Sequence, residues 1–142
     1  MNWPSLYQAR LESWLDLRAQ CAHFPLDETI AAVDLWWQNT PWRPYYLHWD
    51  DRQDWPNPWQ LLADNEYCDV ARALGIIYTI KLLDRPDCAD VMMVSAVQGN
   101  LVLVQGGKYV MNWTHDEIVN IQSTQIKIER TLEPEVLDRL LG

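Results

Sequence analysis

The chain has 142 residues, of which 49% are hydrophobic, and acidic side chains outnumber basic ones by 20 to 11. This length and hydrophobicity predict one folded domain over residues 1–142 and exclude a largely disordered chain. The net charge of −9 disfavours contact with the phosphate backbone of a nucleic acid, and no run of about 18 apolar residues is present to span a membrane.

Three further features of the sequence concern the state of the thiols, metal binding and secretion. The three cysteines form no CxxC pair and the three histidines are scattered, so we expect reduced thiols, no zinc site and no cofactor. One acidic cluster, His48 with Asp50, Asp51 and Asp54, has no EF-hand spacing and is interpreted as a solvated loop. Residues 1–5 contain no basic region before an apolar run, so we expect no secretory signal.

Two amphipathic helices are predicted at the start of the chain. The first spans 5–21, with Ser5 as a candidate N-cap and a helical-period stripe of Tyr7, Leu11, Trp14 and Leu15. The second spans 27–38, where Asp27 and Glu28 complement the helix dipole and the stripe consists of Ile30, Val33 and Trp37, with Trp36 beside it.

Residues 39–58, which we call the aromatic arm, have neither a helical nor a strand period. Their four prolines block both kinds of backbone ladder, so the segment is predicted to be a long ordered loop. The chain has nine Trp and six Tyr against one Phe, and Trp and Tyr are enriched at protein interfaces. The candidate protein-interaction residues, whose rings either pack on the domain or dock on a neighbour, are Trp42, Tyr45, Tyr46, Trp49, Trp55 and Trp59.

Residues 59–83 follow as a short helical turn, Trp59 to Ala63, and a long apolar helix that Asp64 or Asn65 could cap. This is the most apolar segment, so we expect it to be the central, buried helix. The β-branched residues 76–80 could instead form a strand after a helix that stops at Gly75. We favour a continuous helix to residue 83.

After Pro86 the hydrophobic period changes to two, which indicates strands. Strands are predicted at 91–97, 101–105, 109–113 and 124–130, and Gly106-Gly107 is typical of a hairpin turn. A short terminal helix starts at Glu133-Pro134-Glu135. A helical part (1–83) followed by a three- to four-stranded antiparallel meander and a final helix (88–142) predicts the α+β class.

A cysteine hydrolase is one candidate activity. Cys68 near the start of a helix, followed by His115 after a strand, resembles the order of catalytic groups in papain-like and transglutaminase-like enzymes, and Asp116 or Asn120 could be the third member. The Gly and Trp that usually surround the cysteine of those enzymes are absent, and Asp69 would oppose thiolate formation. A buried core thiol is therefore favoured, and we predict that the protein is not an enzyme.

The segment 54–79 is similar to small proteins of tailed bacteriophages. The likeness lies in Trp55-Pro56-Asn57-Pro58-Trp59, the Asp64-Asn65 pair, the helix with Ala73-Leu74-Gly75 and Tyr78-Thr79, and the hairpin at 101–113. It implies a non-enzymatic structural or assembly protein of a virion tail, neck or baseplate, assembled in the host cytoplasm. Its implied partners are other virion proteins in a symmetric, multi-copy assembly. The resemblance implies no catalytic residues.

The acidic surplus supports a different class of function. A small, stable, acidic protein could be an inhibitor, such as a toxin-immunity or anti-defence protein, that binds one basic partner. The two hypotheses differ in the number of partners and in how strongly binding depends on salt.

Overall fold

A computed structural model describes residues 3–113 and 126–142. The helices are α1 (Tyr7–Cys21), α2 (Leu26–Gln38), α3 (Pro58–Leu62), α4 (Asp69–Leu83) and α5 (Pro134–Leu141). The strands are β1 (Val91–Ala96), β2 (Gly99–Val104), β3 (Tyr109–Met111) and β4 (Ile128–Thr131), and two 3₁₀ helices occupy Trp49–Asp54 and Pro86–Cys88. Helices packed against one antiparallel sheet confirm the α+β class.

The two N-terminal helices form where they were predicted, but α1 buries a different face. Leu6, not Ser5, is the N-cap of α1, and no side chain caps that end. Tyr7 and Leu15 are exposed, whereas Arg10, Trp14, Leu17 and Cys21 are buried, so the predicted stripe of α1 was wrong apart from Trp14 and the half-buried Leu11. The predicted stripe of α2 is confirmed.

Arg10 explains why the buried face of α1 is shifted. Its guanidinium is almost fully buried and donates to carbonyl oxygens of Pro4, Ser5, Leu62 and Asp64 and to the side-chain oxygen of Asn65. A buried charge is tolerated when its donors are satisfied in this way. Of the expected caps of α4, the Asn65 side chain accepts from Arg10 and the Asp64 carboxylate accepts from the Tyr46 hydroxyl, and the N-cap of α4 is Cys68.

Helix α4 is continuous to Leu83, as favoured from the sequence, and almost every residue from Val70 to Ile80 is buried. Gly75 allows the closest contact in the core, because a Cβ atom there would lie 2.5 Å from the ring of Trp37. One turn later, the Thr79 hydroxyl oxygen accepts hydrogen bonds from the indole nitrogens of Trp14 (2.9 Å) and Trp37 (3.0 Å). Helices α1, α2 and α4 therefore meet at a single buried hydroxyl.

The sheet has the order β3-β2-β1-β4, with all pairs antiparallel. The first three strands form the predicted meander, and the Gly106-Gly107 turn is confirmed by positive φ angles at both glycines. The fourth strand lies beside the first rather than the third, which is the strand order of a Greek key. One face packs on α4 and α2 through Met93, Val102, Val104 and Met111, and the opposite face carries a second apolar cluster of Val94, Ala96, Leu101 and Leu103.

The C-terminal helix α5 closes the domain. Leu137 and Leu140 are its buried residues, and Arg139 donates to the carbonyl oxygens of Arg52 and Gln53 in the first 3₁₀ helix. Across residues 3–113 and 126–142, none of the helices combines the length and the apolar character needed to cross a membrane.

Candidate functional site

The aromatic arm is tied to the domain at its start. The backbone of Trp42 pairs in parallel with that of Tyr67, through Arg43 N to Tyr67 O (3.1 Å) and Tyr67 N to Pro41 O (2.8 Å). Arg72 of α4 donates to the carbonyl and hydroxyl oxygens of Thr40. These contacts order the first residues of the arm, and a 3₁₀ helix that the sequence did not predict orders part of the second half.

Three of the six candidate interaction residues hold the arm to its own domain. Trp49 and Trp55 are buried, contact each other edge to face at 5.4 Å, and donate to Asn100 Oδ1 (2.8 Å) and to the His48 carbonyl oxygen (2.9 Å). The half-buried Tyr46 donates to Asp64 Oδ2 (2.8 Å), and burial, followed by that hydrogen bond, raises the pKa of its hydroxyl. In the isolated chain these three rings are therefore occupied in folding the arm.

The other three rings face outward. The exposed fraction is 54% for Trp42, 77% for Tyr45 and 46% for Trp59. Trp59 lies on α3, where it contacts Trp14 edge to face at 5.4 Å. Trp42 and Tyr45 instead line one shared depression, so the structure brings together two of the six candidate residues at a surface.

We call this depression the aromatic groove. It has a volume of about 520 Å³ and is lined by Trp42, Tyr45, Asp69, Arg72, Ala96, Val97, Gly99 and Asn100. Val97, in the turn between β1 and β2, has an exposed fraction of 65%, and the Arg72 guanidinium lies over the Trp42 ring at 5.1 Å. The groove therefore combines exposed apolar side chains with a rigid polar floor.

The floor is held by hydrogen bonds that converge on Asp69. One carboxylate oxygen accepts from the backbone (2.8 Å) and side-chain (2.9 Å) nitrogens of Asn100, and the other accepts from Asn112 Nδ2 (3.0 Å). Asn112 also receives a hydrogen bond from Gln38 and donates its backbone N–H to Asp34. Burial raises the pKa of Asp34, while the hydrogen bonds from Asn112 and Gln38 lower it by less.

The groove residues that were not predicted from the sequence include Asp69, Arg72, Val97 and Asn100. An apolar β-branched residue at a hairpin turn, Val97, was the one local signal that could have been used. The other three are common helix and turn residues, and only the packing of α4 against the turn between β1 and β2 brings them beside Trp42.

The chemistry available elsewhere is limited. Cys68 has an exposed fraction of 1%, so a substrate could not reach its thiol without movement of the core. His115, Asp116 and Asn120 lie outside the described residues. Within the described ranges, no group of three or more His, Cys, Asp or Glu side chains is arranged to hold a metal ion.

Comparisons with models of protein families, with curated proteins and with solved structures yielded no match. The similarity to tailed-phage proteins therefore stays a prediction.

Proposed function

We propose that this protein is a non-enzymatic protein-binding module whose partner docks on the aromatic groove. The observation that carries the proposal is the meeting of Trp42, Tyr45 and Val97, each more than half exposed, on one concave surface. Trp and Tyr dominate the centres of protein interfaces because they bury a large area at little conformational cost. The hydrogen-bonded floor keeps the groove in one shape before binding, which reduces the entropic cost of association.

The energy available is sufficient for such a contact. An aromatic side chain buries about 150–250 Å² in total. At 54% and 77% exposed, covering the rings of Trp42 and Tyr45 would contribute about 2–5 kcal/mol each before the costs of association. A specific interface needs about 800 Å² on each partner, so the groove is proposed as the centre of a wider contact.

A protein partner suits the groove better than a nucleic acid. Single-stranded nucleic acids bind where aromatic rings line a strongly basic channel. Among the described residues, Arg72 is the one basic side chain that lines this groove. It is balanced there by the carboxylate of Asp69, and the chain carries a net charge of −9.

The resemblance to tailed-phage proteins supports a setting for this binding. We propose that the partner is another virion protein of the tail, neck or baseplate, and that many copies of the chain occupy a symmetric assembly formed in the host cytoplasm. An ordered arm fixed by prolines and by the buried rings of Trp49 and Trp55 suits a component that docks without rearranging.

The proposal is tested by site-specific photo-crosslinking in the cells or particles that contain the protein. A benzophenone amino acid replaces Tyr45 in one variant and Leu35, another exposed apolar residue, on α2, in the control. We expect a crosslinked partner from position 45 and none from position 35. Equal crosslinking at both positions, or at neither, would contradict a partner on the groove.

The energetic test uses variants that leave the core intact. Trp42→Ala together with Tyr45→Ala should weaken binding to the crosslinked partner about 30-fold or more, because interface aromatics of this kind cost 2 kcal/mol or more on truncation. Trp59→Ala, which removes a half-exposed ring outside the groove, is the matched control and should bind normally. Trp49 and Trp55 are unsuitable because their loss would disturb the fold.

An acidic inhibitor is the second candidate, favoured by the net charge of −9. It predicts a single basic partner in a one-to-one complex, whose association rate falls steeply with added salt. Native mass analysis of the crosslinked assembly separates the two candidates, because a virion component is recovered with several proteins and in many copies.

A further inference from the structure

A second concave site lies far along the sheet from the aromatic groove and shares none of its residues. It is a pocket of about 320 Å³ between α4, the start of β1 and α5, and we call it the α5 pocket. Its deep walls are the buried side chains of Ile77, Met93, Leu132 and Leu137. The half-buried Val91, on the same face of β1 as Met93, continues the apolar lining outward. Small-molecule sites have this character, with a mostly apolar cavity of at least about 300 Å³ and a few polar groups.

The charged groups of the α5 pocket are all at its mouth. They are the ammonium of Lys81 and the carboxylates of Asp90 and Asp138. The ion pairs formed among the described residues are Arg52–Glu133, Arg85–Asp87 and Arg130–Asp50, so none of the three mouth groups is paired there. Two carboxylates against one ammonium leave the mouth with a net negative charge, on a protein that is itself acidic.

We propose that the α5 pocket binds a small amphiphile with an apolar body and a cationic amine. The apolar walls favour an alkyl or aryl group that fills the space under α5. The unpaired carboxylates of Asp90 and Asp138 attract the ammonium of a ligand at the mouth. This attraction by two carboxylates outweighs the repulsion by the single ammonium of Lys81. Met93 suits such a ligand because its flexible thioether side chain adapts to different apolar shapes.

The test uses three six-carbon probes whose head groups are cationic, neutral and anionic at neutral pH: hexylamine, hexanol and hexanoate. The full chain is labelled with ¹³C in its methionine methyl groups, and each probe is titrated while the methyl signals are followed. The methyl signal of Met93 should shift saturably, whereas that of Met111, which is buried outside the pocket, should not. Hexylamine should bind about two- to fivefold more tightly than hexanol, and hexanoate should bind most weakly.

Charge variants at the mouth test the source of this preference. Asp90→Asn with Asp138→Asn should remove the advantage of hexylamine over hexanol, and Lys81→Gln should increase it; none of these residues is buried. Ala89→Trp, at an exposed position on the rim, should block all three probes while the methionine spectrum stays that of a folded protein.

Three results would overturn the proposal. They are the absence of a saturable shift at Met93, tighter binding of hexanoate than of hexylamine to the unsubstituted protein, and an order of affinities that the Asp and Lys variants leave unchanged. The first two use the unsubstituted chain, so they do not depend on any variant folding. None of the three results bears on the aromatic groove, which is tested with different residues.

Discussion

The hydroxyl of Thr79 offers the sharpest test of how the core is held together. It is fully buried, accepts the indole N–H groups of both Trp14 and Trp37, and donates to the Gly75 carbonyl oxygen at 2.7 Å. Thr79→Val replaces the hydroxyl with a methyl group of nearly the same shape, so packing is preserved while both indole donors lose their acceptor.

The expected loss in the free energy of unfolding follows from the two indole N–H donors that are left without an acceptor. A buried donor left without a partner costs about 1–3 kcal/mol, so two such donors cost about 2–6 kcal/mol, and relaxation of the rings toward other acceptors brings the expectation to about 2–4 kcal/mol. Thr79→Ser is the matched control. It keeps the hydroxyl and deletes one methyl group, which costs about 1 kcal/mol.

Urea unfolding followed by tryptophan fluorescence measures both variants. We expect the Val variant to be less stable than the Ser variant by at least about 1 kcal/mol, with unchanged m values. Trp37→Phe should cost less in the Val background than in the Thr background, because the indole N–H is then already unpaired. If Thr79→Val proves as stable as Thr79→Ser, the shared hydroxyl does not hold the three helices together.

Four further predictions concern other parts of the domain. Gly75→Ala should destabilise by about 1–3 kcal/mol in urea unfolding, although alanine favours helices, because its Cβ would lie 2.5 Å from the Trp37 ring; a stabilised variant would refute the close contact. Arg10→Met should lower the free energy of unfolding by about 3 kcal/mol or more, since it leaves the buried acceptors of the guanidinium unpaired; an unchanged urea midpoint would refute that role. Burial holds the pKa of Asp34 above its usual 3.8, so above that pH the folded chain binds more protons than the unfolded chain and stability falls as pH rises through the window between the two pKa values. Asp34→Asn should flatten this slope in urea titrations across acidic pH, and an unchanged slope would assign it to other groups. Finally, Cys68 should resist alkylation by iodoacetamide in the folded protein because its side chain is buried, and mass spectrometry follows the reaction. Rapid alkylation would instead support the cysteine hydrolase hypothesis.

Local patterns predicted most of the secondary structure because their signals are local. Helix α4 could be recognised by its long apolar run, and the Gly106-Gly107 turn by residues that adopt positive φ without strain. The strand order could not be predicted, since pairing β4 with β1 depends on contacts distant in sequence. The face of α1 was also misjudged, because Arg10 is buried by acceptors more than 50 residues away.

The aromatic arm shows the same division at the candidate site. The six rings have similar local surroundings of prolines and charged residues, and nothing in that stretch separates Trp49 from Trp42. Trp49 is buried because Asn100, on β2, accepts its indole N–H, whereas Trp42 is covered on one face by Arg72 and left open beside Val97. The sequence therefore identified the segment, and the packing of the sheet and α4 selected the rings that face outward.

By itself, the sequence determined the helices, the hairpin turn, the α+β class, the acidic charge and the unusual supply of Trp and Tyr. These properties follow from composition and from periods of a few residues, which set the local conformation of the backbone. Only the tertiary structure decided which rings remain exposed, that Asp69, Arg72 and Asn100 form the floor beneath them, and that a separate apolar pocket opens under α5. The physical reason is that burial and hydrogen-bond satisfaction depend on partners far apart in the chain, and these meet only after the helices pack on the sheet.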